Sequence, residues 1–320
     1  MWKKRKSKED AMNVVFMGTP EFAVPTLEKL TQFHHVAAAV TQPDKQKGRG
    51  KKLSFPPVKE AALKHGIPVL QPAKARDEQF IEDLEQLAPD VIVVVAYGQI
   101  LPERILNIPK YGCINVHGSL LPKYRGAGPI QWAVLNGEKE TGITTMYMEK
   151  GLDTGDMIDK AVIPLDQKET SGTLHDKLME LGADLLLETL EKLENGTAVR
   201  TKQNDNESSY APMLSKEMGE IEFTKSAAEI EQWVRGLNPW PSAYTELGGK
   251  TLKIWDADIV SYDGDERPGT IIEVTKKQMI VACGQDALAL NEIQLSGKKR
   301  MSVQAFLAGS RVDTGTVLGE

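Results

Sequence analysis

"DVIVVVAYG" (residues 90–98) carries no polar side chain between Asp90 and Tyr97. A strand with one wet face alternates apolar and polar residues, so a run this uniform reads as a strand covered on both faces, as in a parallel sheet lying between layers of helices. Its surroundings agree. "DEQFIEDLEQLAP" (77–89) before it has helical spacing. Further back, "MNVVFMG" (12–18) is a short strand that stops at Gly18, "PEFAVPTLEKLTQ" is a helix with Pro near its start, and "HVAAAVTQ" (35–42) is a second strand. "PPVKEAALKHG" (56–66) is a helix closed by Gly66, and "IPVLQP" another short strand. This alternation over residues 12 to about 120 marks an open α/β sheet.

Downstream, "GPIQWAVLNG" reads as a helix, "ETGITTMYMEKG" and "DMIDKAVIPL" as two strands, and "TSGTLHDKLMELGADLLLETLEKLENG" as a long amphipathic helix stopped by Asn195 and Gly196. Residues 197–210 are polar and weakly patterned, which suggests a linker between a domain over 12–196 and another over 211–320. In the latter, a helix at about 226–237 precedes "NPWPSAY" and short runs such as "TLKIWDADIV", "GTIIEV", "MIVACG", "ALALNEIQL" and "VLGE". Short strands at this spacing predict a small β-barrel.

With 320 residues, two domains are the natural expectation. No apolar run is long enough to cross a bilayer, and the basic start, residues 1–11, lacks the apolar stretch of a signal peptide, so a cytoplasmic protein is expected and 1–11 is set aside as an extension. Cys113 and Cys283 lack metal-ligand spacing and read as reduced thiols. The net charge of −6 argues against a general polyanion binder, but "KQKGRGKK" (45–52) and "GKKR" (297–300) are local basic clusters.

Ligands of open α/β sheets sit outside the carboxyl ends of the strands. That selects Gly18–Pro20, Tyr97–Leu101 and the stretch after Ile114. Asn115 and His117, in "INVHGSLLP", lie two apart on a strand and face one space, with Val116 on the other face. In "EKGLDTGDMI" (149–158), Gly151 and Gly155 bracket Asp153 in a loop between two strands, where tight backbone approach lets a carboxylate reach a neighbouring strand end; Asp156 is an equal candidate from the residues alone. His34, His35, His65 and His175 have no partner motif and read as surface groups.

"INVHGSLLPKYRGAGPIQWAVLNG" followed by "TGITTMYMEKGLDTGDMI" resembles the 10-formyltetrahydrofolate-dependent formyltransferase family, and within it the branch that acts on methionyl initiator tRNA. The likeness continues through "VVFMGTPEFAVPTLEKL", "TQPDKQKGRGKKL", "SYAPMLSKEMGEIEF", "GLNPWPSAYT", "LKIWDAD" and "GKKRMSVQAFLAG", nearly all of the chain after residue 12. It implies a Rossmann-like catalytic domain with an open, mostly parallel sheet, then an OB-like β-barrel that binds tRNA. It also implies a monomer and a catalytic set of Asn115, His117 and Asp153, with no metal. Asn115 and a protonated His117 would stabilise the oxyanion of the tetrahedral intermediate, while Asp153 would hold the imidazole and accept or relay the amine proton. The folate would lie along Tyr97, Gly98, Ile100 and Leu101 and the turn Ser119, Leu120, Leu121 and Pro122, its edge read by backbone groups. Lys45, Lys47, Arg49, Lys51 and Lys52 on the basic loop, with Lys298, Lys299 and Arg300, would meet tRNA, Arg49 also stacking on an unpaired base. Residues 211–320 hold 12 Lys and Arg against 16 Asp and Glu, so binding there rests on a patch.

Other functions fit less well. "GTPEFA" is not G-x-G-x-x-G, and Thr41 and Gln42 stand where a dinucleotide site needs an acid. A formyltransferase for a small amine, or a formyl-folate hydrolase, would need neither the loop 43–53 nor the C-terminal motifs. An RNA-binding protein without catalysis has no use for Asn115, His117 and Asp153 together.

Overall fold

The computed structural model describes residues 11–47 and 52–320, which divide into two compact units. The first takes the chain to Gly126, then Glu140–Pro164 and His175–Ala211; the second takes Ala127–Lys139, Leu165–Leu174 and Pro212–Glu320.

The first unit is built on strands β1 (Asn13–Gly18), β2 (His35–Val40), β5 (Val69–Leu70), β6 (Val91–Val95), β7 (Cys113–His117), β8 (Glu140–Tyr147) and β9 (Met157–Pro164), in the order β5-β2-β1-β6-β7-β8-β9. The pairs from β5 to β7 are parallel, and β7-β8 and β8-β9 are antiparallel. Every residue of β6 is buried, as its unbroken apolar run demands. Alternate residues of β1 and β6 (Val15, Met17, Ile92, Val94) join Phe80, Ile81 and Leu84 of helix α3 (Glu78–Leu87) in one core. Helices α1 (Val24–Phe33), α2 (Pro57–Lys64), α4 (Glu103–Leu106) and most of α6 (Ser171–Glu194) complete the unit.

The basic loop after β2 contains a feature the sequence does not advertise: β3 (Lys45–Lys47) and β4 (Lys52–Ser54) pair as an antiparallel hairpin. Its base is fixed by Lys59, whose ammonium donates to Asp44 and Gln71, both at 2.7 Å. That contact, helped by a hydrogen bond from Gln71, holds the Asp44 carboxyl below its usual range.

Within the sheet, Gly142 of β8 admits no side chain, because a Cβ there would stand 1.9 Å from the Ala161 carbonyl oxygen and 2.8 Å from Leu120. Gly142→Ala is therefore expected to cost about 3 kcal/mol of stability, at the upper end for overpacking because the obstacle is backbone. Urea unfolding checks this; an unchanged midpoint would mean that β9 yields freely.

In the second unit, β10 (Ala243–Leu247), β11 (Lys250–Val260), β12 (Ile271–Val274), β13 (Met279–Ala282), β14 (Ala287–Leu295) and β15 (Met301–Ser302) form an antiparallel sheet of order β10-β11-β14-β13-β12, with β15 on β14. Its core includes Phe223, Leu252, Ile254, Leu288, Leu290 and Phe306, with Ile230 and Val234 of α7 (Ala227–Gly236). Helix α7 opens on a capping box in which Ser226 and Glu229 satisfy each other's backbone N–H groups. "VLGE" forms no strand and contributes one bridge, Val317 to Thr270, while "VQAFLA" is helix α8 (Val303–Ala308).

Two stretches placed by sequence in the domain over 12–196 cluster with this second unit instead. Helix α5 (Pro129–Leu135) does so because Trp132 Nε1 donates to the Pro212 carbonyl at 2.9 Å and Gln232 Nε2 to that of Leu135 at 2.6 Å. Residues 165–174 do so through Ser171 Oγ, which donates to the Gly236 carbonyl at 2.6 Å. Conversely, residues 197–210, expected as a linker, belong to the first unit, where Thr201 bridges Met157 and Tyr210 bridges Arg125.

Among the described residues no helix is long and apolar enough to cross a membrane. Cys113 and Cys283 are free and buried, and burial pushes both thiols up to about 12.

Candidate active site

Strand β7 lies where the sheet changes from parallel to antiparallel, with β6 on one side and β8 on the other. Val116 turns toward α6, where a side chain at Gly182 would collide with it, so Asn115 and His117 take the opposite face. The Asn115 side chain is half-buried and has no hydrogen-bond partner among the described residues, which leaves its amide N–H groups available to a ligand. His117 is 6 % exposed. Its Nε2 lies 2.9 Å from the Tyr124 carbonyl oxygen. A carbonyl can only accept, so Nε2 carries the proton and Nδ1 is the nitrogen left to act.

Nδ1 faces Asp153 Oδ2 at 3.7 Å. The route by which that carboxylate arrives differs from a simple reach to a neighbouring strand end. Because β8 is antiparallel to β7, Tyr147 lies opposite Ile114, whereas His117 lies opposite Thr144. The loop after Tyr147 thus begins about 10 Å, three residues' rise, from the end of β7 that it must serve. It folds back. Gly155 passes so close to Tyr147 that a Cβ would stand 1.9 Å from that carbonyl oxygen, and Asp153 adopts a left-handed φ of 53°. Its carboxylate is then anchored by the Gly126 N–H, which donates to Oδ2 at 2.8 Å. The alternative acid, Asp156, is engaged elsewhere, accepting from Arg200 Nε at 2.9 Å.

The residues expected along the folate divide sharply. Ile100 is 85 % exposed and Gly98 is exposed too, at a left-handed φ of 87°, whereas Leu101 is buried. Tyr97 does not line a surface with its ring: it is buried in the α3-side core, burial pushes its phenol up to about 12, and its carbonyl already accepts from Thr19 and Gln42. In the turn after β7, backbone readout is largely pre-empted. The Thr144 hydroxyl donates to the Ser119 carbonyl and accepts from the Leu121 N–H, Lys160 donates to the Leu121 carbonyl, and Ser119 Oγ donates to the Lys123 carbonyl. Leu120 lies against Gly142, and Pro122 is half-buried.

The structure adds what the sequence did not single out. A cleft of about 780 Å³ runs between Glu103 and Leu106 just after Leu101, Cys113 at the start of β7, and Met148–Gly151 just before Asp153. Its apolar wall (Leu106, Cys113, Met148) belongs to the core cluster that contains Tyr97, whose buried phenol oxygen has no hydrogen-bond partner among the described residues. The cleft opens at the end of β7 opposite His117, and Asn115, His117 and Asp153 are not among its lining residues.

Of the residues expected to meet tRNA, Lys45 is exposed on β3, and Lys47 and Lys52 are the paired ends of the hairpin, seen as backbone. Arg49 and Lys51 lie outside the described residues. In the second unit Lys298, Lys299 and Arg300 are all exposed; Lys298 sits 5.6 Å from the Phe306 ring, and Arg300 stacks 4.7 Å from the Trp255 ring while paired with Glu292.

The comparisons with known proteins converge. Residues 12–190 match the family model described as formyl transferase, and residues 213–311 match that of the formyl transferase C-terminal domain. A methionyl-tRNA formyltransferase of Lachnospira eligens is 56 % identical over 315 residues, covering 97 % of this chain and all of that protein. One from Caldanaerobacter subterraneus is 54 % identical over 309 residues, covering 96 % of this chain and all of the relative. Among solved structures, the N-formyltransferase of Helicobacter canadensis in complex with folinic acid and dTDP-3-aminofucose superposes with a TM-score of 0.63 at 20 % identity, over 87 % of this chain and 99 % of that one. HypX of Aquifex aeolicus in complex with tetrahydrofolic acid does so with a TM-score of 0.63 at 16 % identity, over 95 % of this chain and 50 % of that one. At such identities the structures speak for the fold; the relatives matched over their whole length carry the assignment, and by them this chain belongs to the methionyl-tRNA formyltransferase family.

Proposed function

We propose that this protein transfers the formyl group of 10-formyltetrahydrofolate to the amino group of methionyl initiator tRNA, giving the formylated initiator used to begin translation. The observation that carries this is the facing of His117 Nδ1 and Asp153 Oδ2 beside the free amide of Asn115, in a chain aligned end to end with relatives that bear that name.

Asn115 Nδ2 supplies a donor fixed by β7 to the oxygen that gains charge when the amine attacks the formyl carbon. His117, oriented by the Tyr124 carbonyl, turns Nδ1 to the same space and, when protonated there, is the second donor. Asp153, facing Nδ1, takes the proton that the amine loses. The folate brings its formyl group to the space that Asn115 and His117 face, and exposed Gly98 and Ile100 are the residues of its expected path that are open to contact. The hairpin at 45–54 and the patch around Lys298, Lys299 and Arg300 meet the tRNA, and these contacts weaken as salt rises. The protein acts as a monomer in the cytoplasm, where its charged tRNA is made.

The test is formyl transfer from 10-formyltetrahydrofolate to methionyl initiator tRNA, with methionyl elongator tRNA and free methionine in parallel. Product confined to the initiator is expected. Folate turnover without formylated tRNA would leave the chemistry standing and overturn the acceptor.

A further inference from the structure

Gln203 lies in the segment that reads from sequence as a polar linker, yet it is 6 % exposed. Its amide is fully used. Nε2 donates to the Asp153 carbonyl and to the Gly155 carbonyl, both at 2.8 Å, and Oε1 accepts from Arg125 Nε at 3.0 Å. The arginine thereby fixes which way the amide faces, since only the oxygen can accept from a guanidinium.

Arg125 is itself tied to the same segment. Its N–H donates to the Ser209 carbonyl at 2.9 Å, its carbonyl accepts from the Ala211 N–H at 2.7 Å, and its guanidinium reaches Asp205 at 2.8 Å. The next residue, Gly126, is the one whose N–H holds the Asp153 carboxylate. Loop, Gln203, Arg125 and Gly126 therefore form a closed ring around Asp153. Asp153 sits at a left-handed φ, which an aspartate tolerates better than most side chains but still at a cost, so the neighbours that hold the turn matter.

We infer that Gln203 is a positioning residue for formyl transfer: by clamping the carbonyls of Asp153 and Gly155 it keeps the folded-back loop in the turn that presents the carboxylate to His117. The inference rests on the proposed role of Asp153. Gln203 has no hydrogen bond to His117 or Asn115 among the described residues, and its amide donors lead to the loop that carries Asp153.

The test is a double-mutant cycle on the full-length protein, with kcat and both KM values measured for the wild type, Gln203→Met, Asp153→Asn and the double variant, alongside thermal midpoints. Gln203→Met keeps the buried volume and removes the donors. It is expected to lower kcat roughly 10- to 100-fold, the scale of a misplacement of about an ångström, with both KM values within about threefold. Acting through Asp153, it should cause little further loss once Asp153 is Asn. A wild-type kcat in Gln203→Met, even with a lowered midpoint, would make Gln203 a purely structural residue and overturn the inference; losses that multiply in the double variant would do the same. If Gln203→Met does not accumulate, Gln203→Glu sets a carboxylate against two carbonyls and is expected to show the same fall in kcat. Full activity in Asp153→Asn would bring down the role of Asp153, and this inference with it, whereas failure of the Gln203 variants alone leaves that role intact.

Discussion

Asp153→Asn is expected to lower kcat for formyl transfer by roughly 10²- to 10⁴-fold, the usual range for removing a general base, with KM for folate and tRNA almost unchanged. The substitution keeps the shape of a side chain only 13 % exposed, and an amide oxygen can still accept from the Gly126 N–H, so the loop should keep its course. What disappears is the charge facing His117 Nδ1 and the capacity to take a proton. Asp156→Asn is the matched control: its carboxylate serves Arg200, and its loss should leave kcat within about twofold. Steady-state kinetics of the two variants decide between the acids. A collapse of kcat in the Asp156 variant with a normal Asp153 variant would reverse the assignment.

The second large effect is expected at Asn115. Asn115→Ala should reduce kcat by roughly 10²- to 10³-fold, as for the loss of one oxyanion donor, and should leave the fold undisturbed because the amide holds no partner among the described residues. Asn115→Asp should be at least as damaging, since a carboxylate repels the charge the amide is there to receive. Single-turnover kinetics, which isolate the chemical step from tRNA release, are the fitting measurement. An Asn115→Ala variant that raises KM alone would assign the residue to binding.

Much of this was legible in the sequence, for definite reasons. The β6 valines carry their double-sided burial in their own composition, and the two-residue spacing of Asn115 and His117 fixes a shared face on any strand. Both are local facts. The choice between Asp153 and Asp156 is not local, because it depends on β8 pairing antiparallel to β7 and on a loop that turns back over the sheet. Nor does the text of "SLLP" reveal that its backbone groups are taken by Thr144, a residue that reaches it only through that pairing. Helix α5 is a plain helix in sequence, and its membership of the second unit is decided by Trp132 and Gln232 bonding across long stretches of chain. Gln203 was hidden for the opposite reason: polar residues in a weakly patterned stretch look alike until one of them is seen to be buried.

The imidazole of His117 is open at one nitrogen alone. With Nε2 bound to a carbonyl that cannot give up or receive a proton, the ring has a single working port. It cannot pass a proton in at one nitrogen and out at the other, as a relay does. Any proton the ring gains or loses is exchanged at Nδ1, the atom that faces Asp153, so the state of the imidazole answers to that one carboxylate.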